Sequence, residues 1–175
     1  MSDTMPAHVI LAIINVTAWG MLLGLPLYGV RSGSAKILCI GLYAFVFRIV
    51  TEGVSGPLAA STPLLPGASE IINTGAWQLV LYLPLLALAF PLGLFLNRFL
   101  AYSLEPFDEV VGFGIGILVA FIAVRTFLGA VALCSTGQEL HASVSDLFLV
   151  RQCVALESWH GLKGWFTGLM HTDRW

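Results

Sequence analysis

Residues 75–99, with the sequence GAWQLVLYLPLLALAFPLGLFLNRF, decide the fold of this chain. The stretch has no charged residue before Arg98, and it exceeds the roughly 20 helical residues that cross a hydrocarbon core about 30 Å thick. Trp77 and Tyr82 near its start are aromatic residues of the kind that anchor a helix at a membrane interface. The stretch therefore predicts a transmembrane helix. Two prolines within it are expected to bend this helix, Pro84 and Pro91.

Three further apolar runs predict transmembrane helices, over residues 7–30, 35–54 and 110–133. The segment 55–73 between the second and third helices is rich in Pro, Gly and Ser, which indicates a loop. A short re-entrant or interfacial segment at Leu64 and Leu65 within this loop is an alternative.

The composition of the whole chain agrees with a membrane location. Of its 175 residues 58% are hydrophobic and only 10% are charged, whereas soluble domains carry about 25% charged residues. A small globule cannot bury that much apolar surface, so the surplus is expected to face lipid. The net charge of -2 provides no basic field for nucleic acid. The expected partners are membrane lipid and other membrane proteins or further copies of the chain.

The tail over residues 135–175 cannot span the membrane again without burying charges. It carries two apolar stripes at helical spacing, the first made of Leu140, Val144, Leu147 and Phe148, the second of Ala155, Trp159, Leu162, Phe166 and Leu169. A Trp-rich amphipathic helix of this kind is typical of the membrane surface, and packing on a soluble part of a partner is the alternative. We therefore expect an all-α integral membrane protein, with a four-helix transmembrane domain over residues 1–134 and an amphipathic C-terminal tail over residues 135–175.

Glycines recur four residues apart in several places. This spacing removes side chains from one helix face and lets two backbones approach closely. Four pairs have it: Gly20/Gly24, Gly29/Gly33, Gly112/Gly116 and Gly164/Gly168. Gly112 and Gly116 are the strongest candidates for helix packing, because Gly114 makes a third small residue at the start of the fourth helix. The sequence leaves open whether the contact is internal or between protomers.

Three charged residues are candidates for a polar site within the membrane. Arg125 lies about ten residues from the nearer end of the fourth span, at a depth where an unpaired charge is costly. Its candidate partners are Glu52, Asn15 and Thr17, and the alternative is a side chain that snorkels to the headgroups. Arg48 and Glu52 are four residues apart near the predicted end of the second helix, so we expect them to pair near the interface.

His160 follows Trp159 at a predicted membrane surface, a position that suits an axial ligand to a pigment or haem. An ordinary interfacial histidine is the favoured interpretation. No two histidines share a metal-ligand spacing, and no nucleophile-elbow glycines accompany the serines of the tail. We therefore expect no metal, no cofactor and no catalytic residues.

The stretch Asp108-Glu109-Val110-Val111-Gly112-Phe113-Gly114-Ile115-Gly116 places an Asp at the mouth of an apolar helix, with glycines four and eight residues later. This resembles the motif of the colicin V production protein family (CvpA), in which such a stretch opens the last transmembrane helix. Residues 28–38, YGVRSGSAKIL, look like the Gly- and Arg-bearing turn into the second helix of that family. Asp108 would also cap the N-terminus of its helix, where backbone N–H groups lack acceptors.

Three departures from the family pattern make the chain a divergent member. Residues 117–119 lack the Arg that often follows the second motif glycine, the Trp before the tail serines is missing, and no acidic residue opens the first span. The resemblance implies a small bacterial inner-membrane protein, linked to toxin production or export and to envelope maintenance through protein and lipid contacts. The alternatives are an accessory subunit of an energy-converting or photosynthetic complex, and a permease or channel component with Arg125 along its path.

Overall fold

The fold is a bundle of four long helices, seen in a computed structural model that describes residues 7–99, 106–135 and Val144. The helices are α1 (Ala7–Ser32), α2 (Ser34–Ser61), α3 (Glu70–Asn97) and α4 (Asp108–Ser135). All four are long and apolar enough to cross a membrane, and these ranges contain no β-strand. The prediction of an all-α membrane protein with four spans is confirmed. The predicted amphipathic tail helix lies, apart from Val144, outside the described residues.

Helix α4 is the centre of the bundle, because it packs against each of the other three helices. Helices α2 and α3 also pack along each other, whereas α1 rests mainly on α4 and touches α2 much less. The buried apolar side chains form two clusters. One joins all four helices and contains Leu25, Ile37, Ala44, Tyr82, Leu86, Val119, Ala120 and Ala123. The other joins α1 to α4 and contains Ile14, Ala18, Val124, Phe127, Leu128, Val131 and Val144.

Glycines set the register between neighbouring helices. A Cβ atom added at Gly93 of α3 would lie 2.8 Å from the backbone nitrogen of Ile40 in α2, which is closer than real side chains approach. A Cβ atom at Gly75 would lie 2.7 Å from the backbone nitrogen of Cys134 in α4. Because these helix pairs run antiparallel, the two contacts fix which residues of α2, α3 and α4 share a level in the membrane.

The connection between α2 and α3 is shorter than the sequence predicts. Residues 55–61 continue α2 as helix, and α3 already begins at Glu70, so the loop predicted over 55–73 is wrong at both ends. Ser55 and Ala59 lie on the buried face of α2, and their packing maintains the helix through a segment of loop-like composition. Pro57 faces outward, where its ring is accommodated. Leu64 and Leu65 are exposed in a series of turns rather than in a re-entrant helix.

Asn73 holds this connection in place, although the sequence analysis did not single it out. Its side chain is 2% exposed, and its Oδ1 atom accepts a hydrogen bond from the Leu65 N–H at 2.8 Å. The Nδ2 group donates to the carbonyl oxygens of Leu65, Ala68 and Ser69 at 3.2–3.3 Å. A single side chain thereby satisfies backbone groups on both sides of the turn.

Replacement of Asn73 by Ala should destabilise the protein by about 2 kcal/mol, because the connection loses the hydrogen bonds that this buried side chain makes to its backbone groups. Thermal unfolding in a mild detergent would measure this effect. Asn15→Ala is the matched control, since Asn15 is exposed on α1. Equal stability of the two variants would contradict the role given to Asn73.

Candidate functional site

The carboxylate of Asp108 lies at the N-terminus of α2. The Ser34 backbone N–H donates to its Oδ1 atom at 3.0 Å, and the Ser34 hydroxyl donates to the same oxygen. The first N–H groups of a helix have no intrahelical acceptor and form the positive end of its dipole, so a carboxylate there is stabilising. The sequence placed Asp108 as the cap of its own helix α4. In the structure these two bonds join Asp108 to Ser34 at the start of α2, 74 residues earlier in the chain.

Gly33 separates α1 from α2 and is required there for two reasons. Its φ angle is +88°, which lies in the left-handed region that residues other than glycine rarely adopt. A Cβ atom at Gly33 would also collide with the Oδ2 atom of Asp108. Gly33, a predicted packing glycine, is thus a turn residue against which the carboxylate rests. Its carbonyl carbon also lies close to α4, 3.2 Å from where a Cβ atom of Gly112 would be.

The backbones of α1 and α4 touch at Gly29 and Gly112. A Cβ atom on either glycine would overlap the carbonyl oxygen of the other. One turn along, a Cβ atom on Gly116 would lie 2.6 Å from Pro26 Cα and 2.9 Å from the Leu25 carbonyl oxygen. The sequence left open whether the contact at Gly112 and Gly116 is internal or between protomers. In the structure both glycines pack against α1 of the same chain.

We call Gly29, Gly33, Ser34, Asp108 and Gly112 the Asp108 junction. It joins two separate stretches, the turn over residues 28–38 and the helix start over residues 108–116. These are the stretches on which the resemblance to colicin V production proteins rests. Sequence reasoning found the glycines and the Asp but not Ser34, whose signal was its place directly after a helix-breaking glycine.

A second group of polar residues lies near the middle of the bundle. Arg48 is the fifteenth of the 28 residues of α2, and its Nε atom is 2.7 Å from Oε1 of Glu52. The predicted pair is present, and because α2 extends seven residues beyond Val54, the pair lies in the middle of the helix rather than near its end. Counting from the contact of Ile40 with Gly93 places Arg48 about level with Leu85.

Three hydroxyl-bearing side chains occupy the interior at a similar depth. Thr51, Tyr82 and Thr126 are 0%, 1% and 7% exposed and come from α2, α3 and α4. The Thr126 hydroxyl donates to the Ile122 carbonyl oxygen at 2.8 Å and lies beside the Tyr82 hydroxyl, without a hydrogen bond of normal geometry between the two side chains. Among the residues that the structure describes, Thr51 Oγ1 and Tyr82 Oη have no hydrogen-bond partner of normal geometry.

We call Arg48, Thr51, Glu52, Tyr82 and Thr126 the central polar layer. Tyr82 belongs to the core of the bundle, so its predicted role as an interface anchor is wrong. An unsatisfied hydroxyl is costly in an apolar environment, which makes this layer expensive for a domain that only needs to pack.

Arg125 of α4 is half-buried and is engaged by a partner. Glu52, one of its predicted partners, pairs with Arg48. Asn15 is exposed, and Thr17 lines a groove between α1 and α3. His160, the candidate pigment ligand, lies outside the described residues, and the ranges 7–99 and 106–135 hold no cluster of three or more His, Cys, Asp or Glu side chains that would bind a metal.

The groove between α1 and α3 has a volume of ≈ 470 Å³ and is largely apolar. Gly20 and Gly24 line one side, and a Cβ atom at either would meet nothing within 4 Å. Leu83 and Phe90 line the other side. This glycine pair therefore does not serve the internal packing of the described helices.

No protein-family model, no curated protein and no solved structure matches this chain.

Replacement of Gly112 by Val should destabilise the bundle by about 2 kcal/mol or more, because the new side chain would force α1 and α4 apart. Gly114→Val is the matched control, since Gly114 lies two residues away on the outer face of α4 with open space around it. Thermal unfolding of the two purified variants would test the contact. Equal loss of stability in both would show that helix propensity, and not the contact, sets the cost.

Proposed function

We propose that this chain is a small bacterial inner-membrane factor of the colicin V production kind, linked to toxin production or export and to envelope maintenance. In this proposal it acts through contacts with membrane proteins and lipids rather than by catalysis. The observation that carries the proposal is the Asp108 junction. Two stretches that resemble separate motifs of one family meet there through hydrogen bonds and backbone contact, as expected if they form one functional unit.

The charges around the junction support a role at one membrane face. The α1–α2 turn and the start of α4 lie at the same end of the bundle, with Arg31, Lys36 and Arg98 close to it in the sequence. The connection over residues 62–69 at the other end has neither Lys nor Arg. By the positive-inside rule the junction faces the cytoplasm. A partner would meet there a rigid turn with the exposed side chain of Arg31.

Expression of this chain should restore colicin V export in a bacterium that lacks its own colicin V production protein. Asp108→Ala should weaken the effect severalfold, because loss of a helix cap costs about 1 kcal/mol and frees the α1–α2 turn. The measurement is the toxin titre in the medium, normalised to the amount of inserted protein. Glu109→Gln is the control, since Glu109 is the exposed neighbour of Asp108. An inserted wild-type chain that restores nothing would sink the toxin link.

The central polar layer favours a second candidate function, a permease or channel component. Buried hydroxyl groups and an ion pair near the membrane centre are features of paths for protons or small polar solutes. Liposomes that contain the purified protein and a pH-sensitive dye should then acidify faster than empty liposomes after an external pH drop. Tyr82→Phe should remove most of this excess rate without loss of packing. A rate equal to that of empty liposomes would reject this candidate.

Isolation of the tagged protein in mild detergent would address the third class, an accessory subunit. A stoichiometric set of companions or a bound chromophore would support that class, and function would then follow from the complex. Colourless protein without other proteins would contradict it.

A further inference from the structure

The groove between α1 and α3 occupies one half of the thickness of the membrane. On α1 it extends from Thr17 to Tyr28, a length of about 16 Å, which is roughly half of a hydrocarbon core 30 Å thick. It begins near the middle of both helices and ends towards their C-termini, at the end of the bundle that carries the Asp108 junction. The groove therefore lies within a single leaflet and has the length of one acyl chain.

The two walls of the groove do not close on each other. Helices α1 and α3 both pack on α4 but hardly touch each other. Gly20 and Gly24 remove side-chain bulk from the α1 wall, and both are exposed. The volume of ≈ 470 Å³ is within the range of about 300–1,000 Å³ that is typical of ligand sites. The groove is thus open to lipid along its length and large enough for a long apolar ligand.

A positive charge follows each wall of the groove at the junction end. Arg31 comes seven residues after Gly24, and Arg98 comes eleven residues after Ala87. Both spacings return a helix to nearly the same side, and Arg98 keeps helical backbone angles of φ -65° and ψ -23°. Both arginines are exposed, and neither is paired with a carboxylate among the described residues. The apolar groove therefore leads to two available guanidinium groups.

We propose that this groove binds one anionic phospholipid, with an acyl chain along the two open glycines and the phosphate between Arg31 and Arg98. The rings of Tyr28 and Phe90 meet edge to face with centroids 5.8 Å apart, which places these two residues at one level. The Cα atoms of the arginines lie about 5 Å and 12 Å beyond that level, at 1.5 Å per residue. Arginine side chains at helix ends extend to the headgroups, and guanidinium groups bind phosphate through two hydrogen bonds.

The combination of an apolar groove and a positive end selects an anionic lipid as the occupant. An apolar helix of a partner would fill the groove but leave the arginines without a counter-charge. The residues described at the junction end carry more positive than negative side chains, with Arg31, Lys36 and Arg98 against Asp108 and Glu109. By the positive-inside rule this end faces the cytoplasm, where the leaflet carries anionic lipids. The proposal does not depend on the toxin-linked function, and either can fail without the other.

Native mass spectrometry of the purified full chain, titrated with phosphatidylglycerol or phosphatidylcholine of identical acyl chains, measures the binding of each lipid. One phosphatidylglycerol should bind per chain, and more tightly than phosphatidylcholine. Gly20→Leu combined with Gly24→Leu should weaken its binding about tenfold, because the new side chains occupy the space of the acyl chain. Gly53→Leu combined with Gly56→Leu is the matched control, since these glycines are equally open but lie on α2. Equal binding by the two double variants would overturn the proposal.

Removal of the charges tests the headgroup separately from the chain, without any change to helix packing. Arg31→Gln combined with Arg98→Gln should weaken phosphatidylglycerol binding about twentyfold, since each basic residue contributes about fivefold, and should leave phosphatidylcholine binding unchanged. Lys36→Gln is the control, because α2 does not line the groove. Several lipids bound without preference for a headgroup, and without response to the arginine variant, would show annular lipid only and overturn the proposal. A companion protein that is lost with the Gly20 and Gly24 changes would do the same.

Discussion

The backbone contact between α1 and α4 at Gly29 and Gly112 is the constraint on which the rest of this bundle depends. Lipid chains are as apolar as leucine side chains, so helices in a membrane gain little from burying apolar surface against each other. Close approach has to supply the attraction, and only glycine permits the carbonyl of each helix to occupy the place of a side chain on the other. The contact brings the first and the last of the four described helices together, and α4 thereby becomes the centre of the bundle.

The position of α2 follows from this contact. Once α1 and α4 touch, the first residue of α4 lies beside the end of α1, and Asp108 reaches the N–H group with which α2 begins. Gly33 makes the sharp turn that this requires, with a positive φ angle and no side chain to obstruct the carboxylate. The start of α2 is then held by a partly buried electrostatic contact. The distance along α2 from this start sets the level at which Arg48 and Glu52 lie.

The sequence predicted the four spans because long apolar runs have a single physical explanation in a membrane protein. It mispredicted the end of α2, because residues 55–61 have the composition of a loop and only their packing, seen at Ser55 and Ala59, keeps them helical. The same error placed the Arg48–Glu52 pair near the end of α2, whereas the pair lies in the middle of the helix. The sequence predicts Tyr82 as an interface anchor because tyrosine is common at interfaces, whereas its burial depends on how α2 and α4 pack around it. Ser34 and Asn73 were missed, since their bonds depend on which chain segments meet.

The inward face of α2 packs within the bundle, whereas its outward face carries residues available for another role. On the other helices, the inward positions are mostly glycine, alanine and aliphatic residues that the crossings require. Helix α2 instead places Thr51 inward, with no hydrogen-bond partner among the described residues, and Arg48 and Glu52 outward at about the same depth. Each of these polar residues imposes a cost in an apolar environment. This polar segment lies in the middle of α2, and the Asp108 junction holds the start of that helix in place. A contact with a molecule outside the monomer would gain the most free energy here.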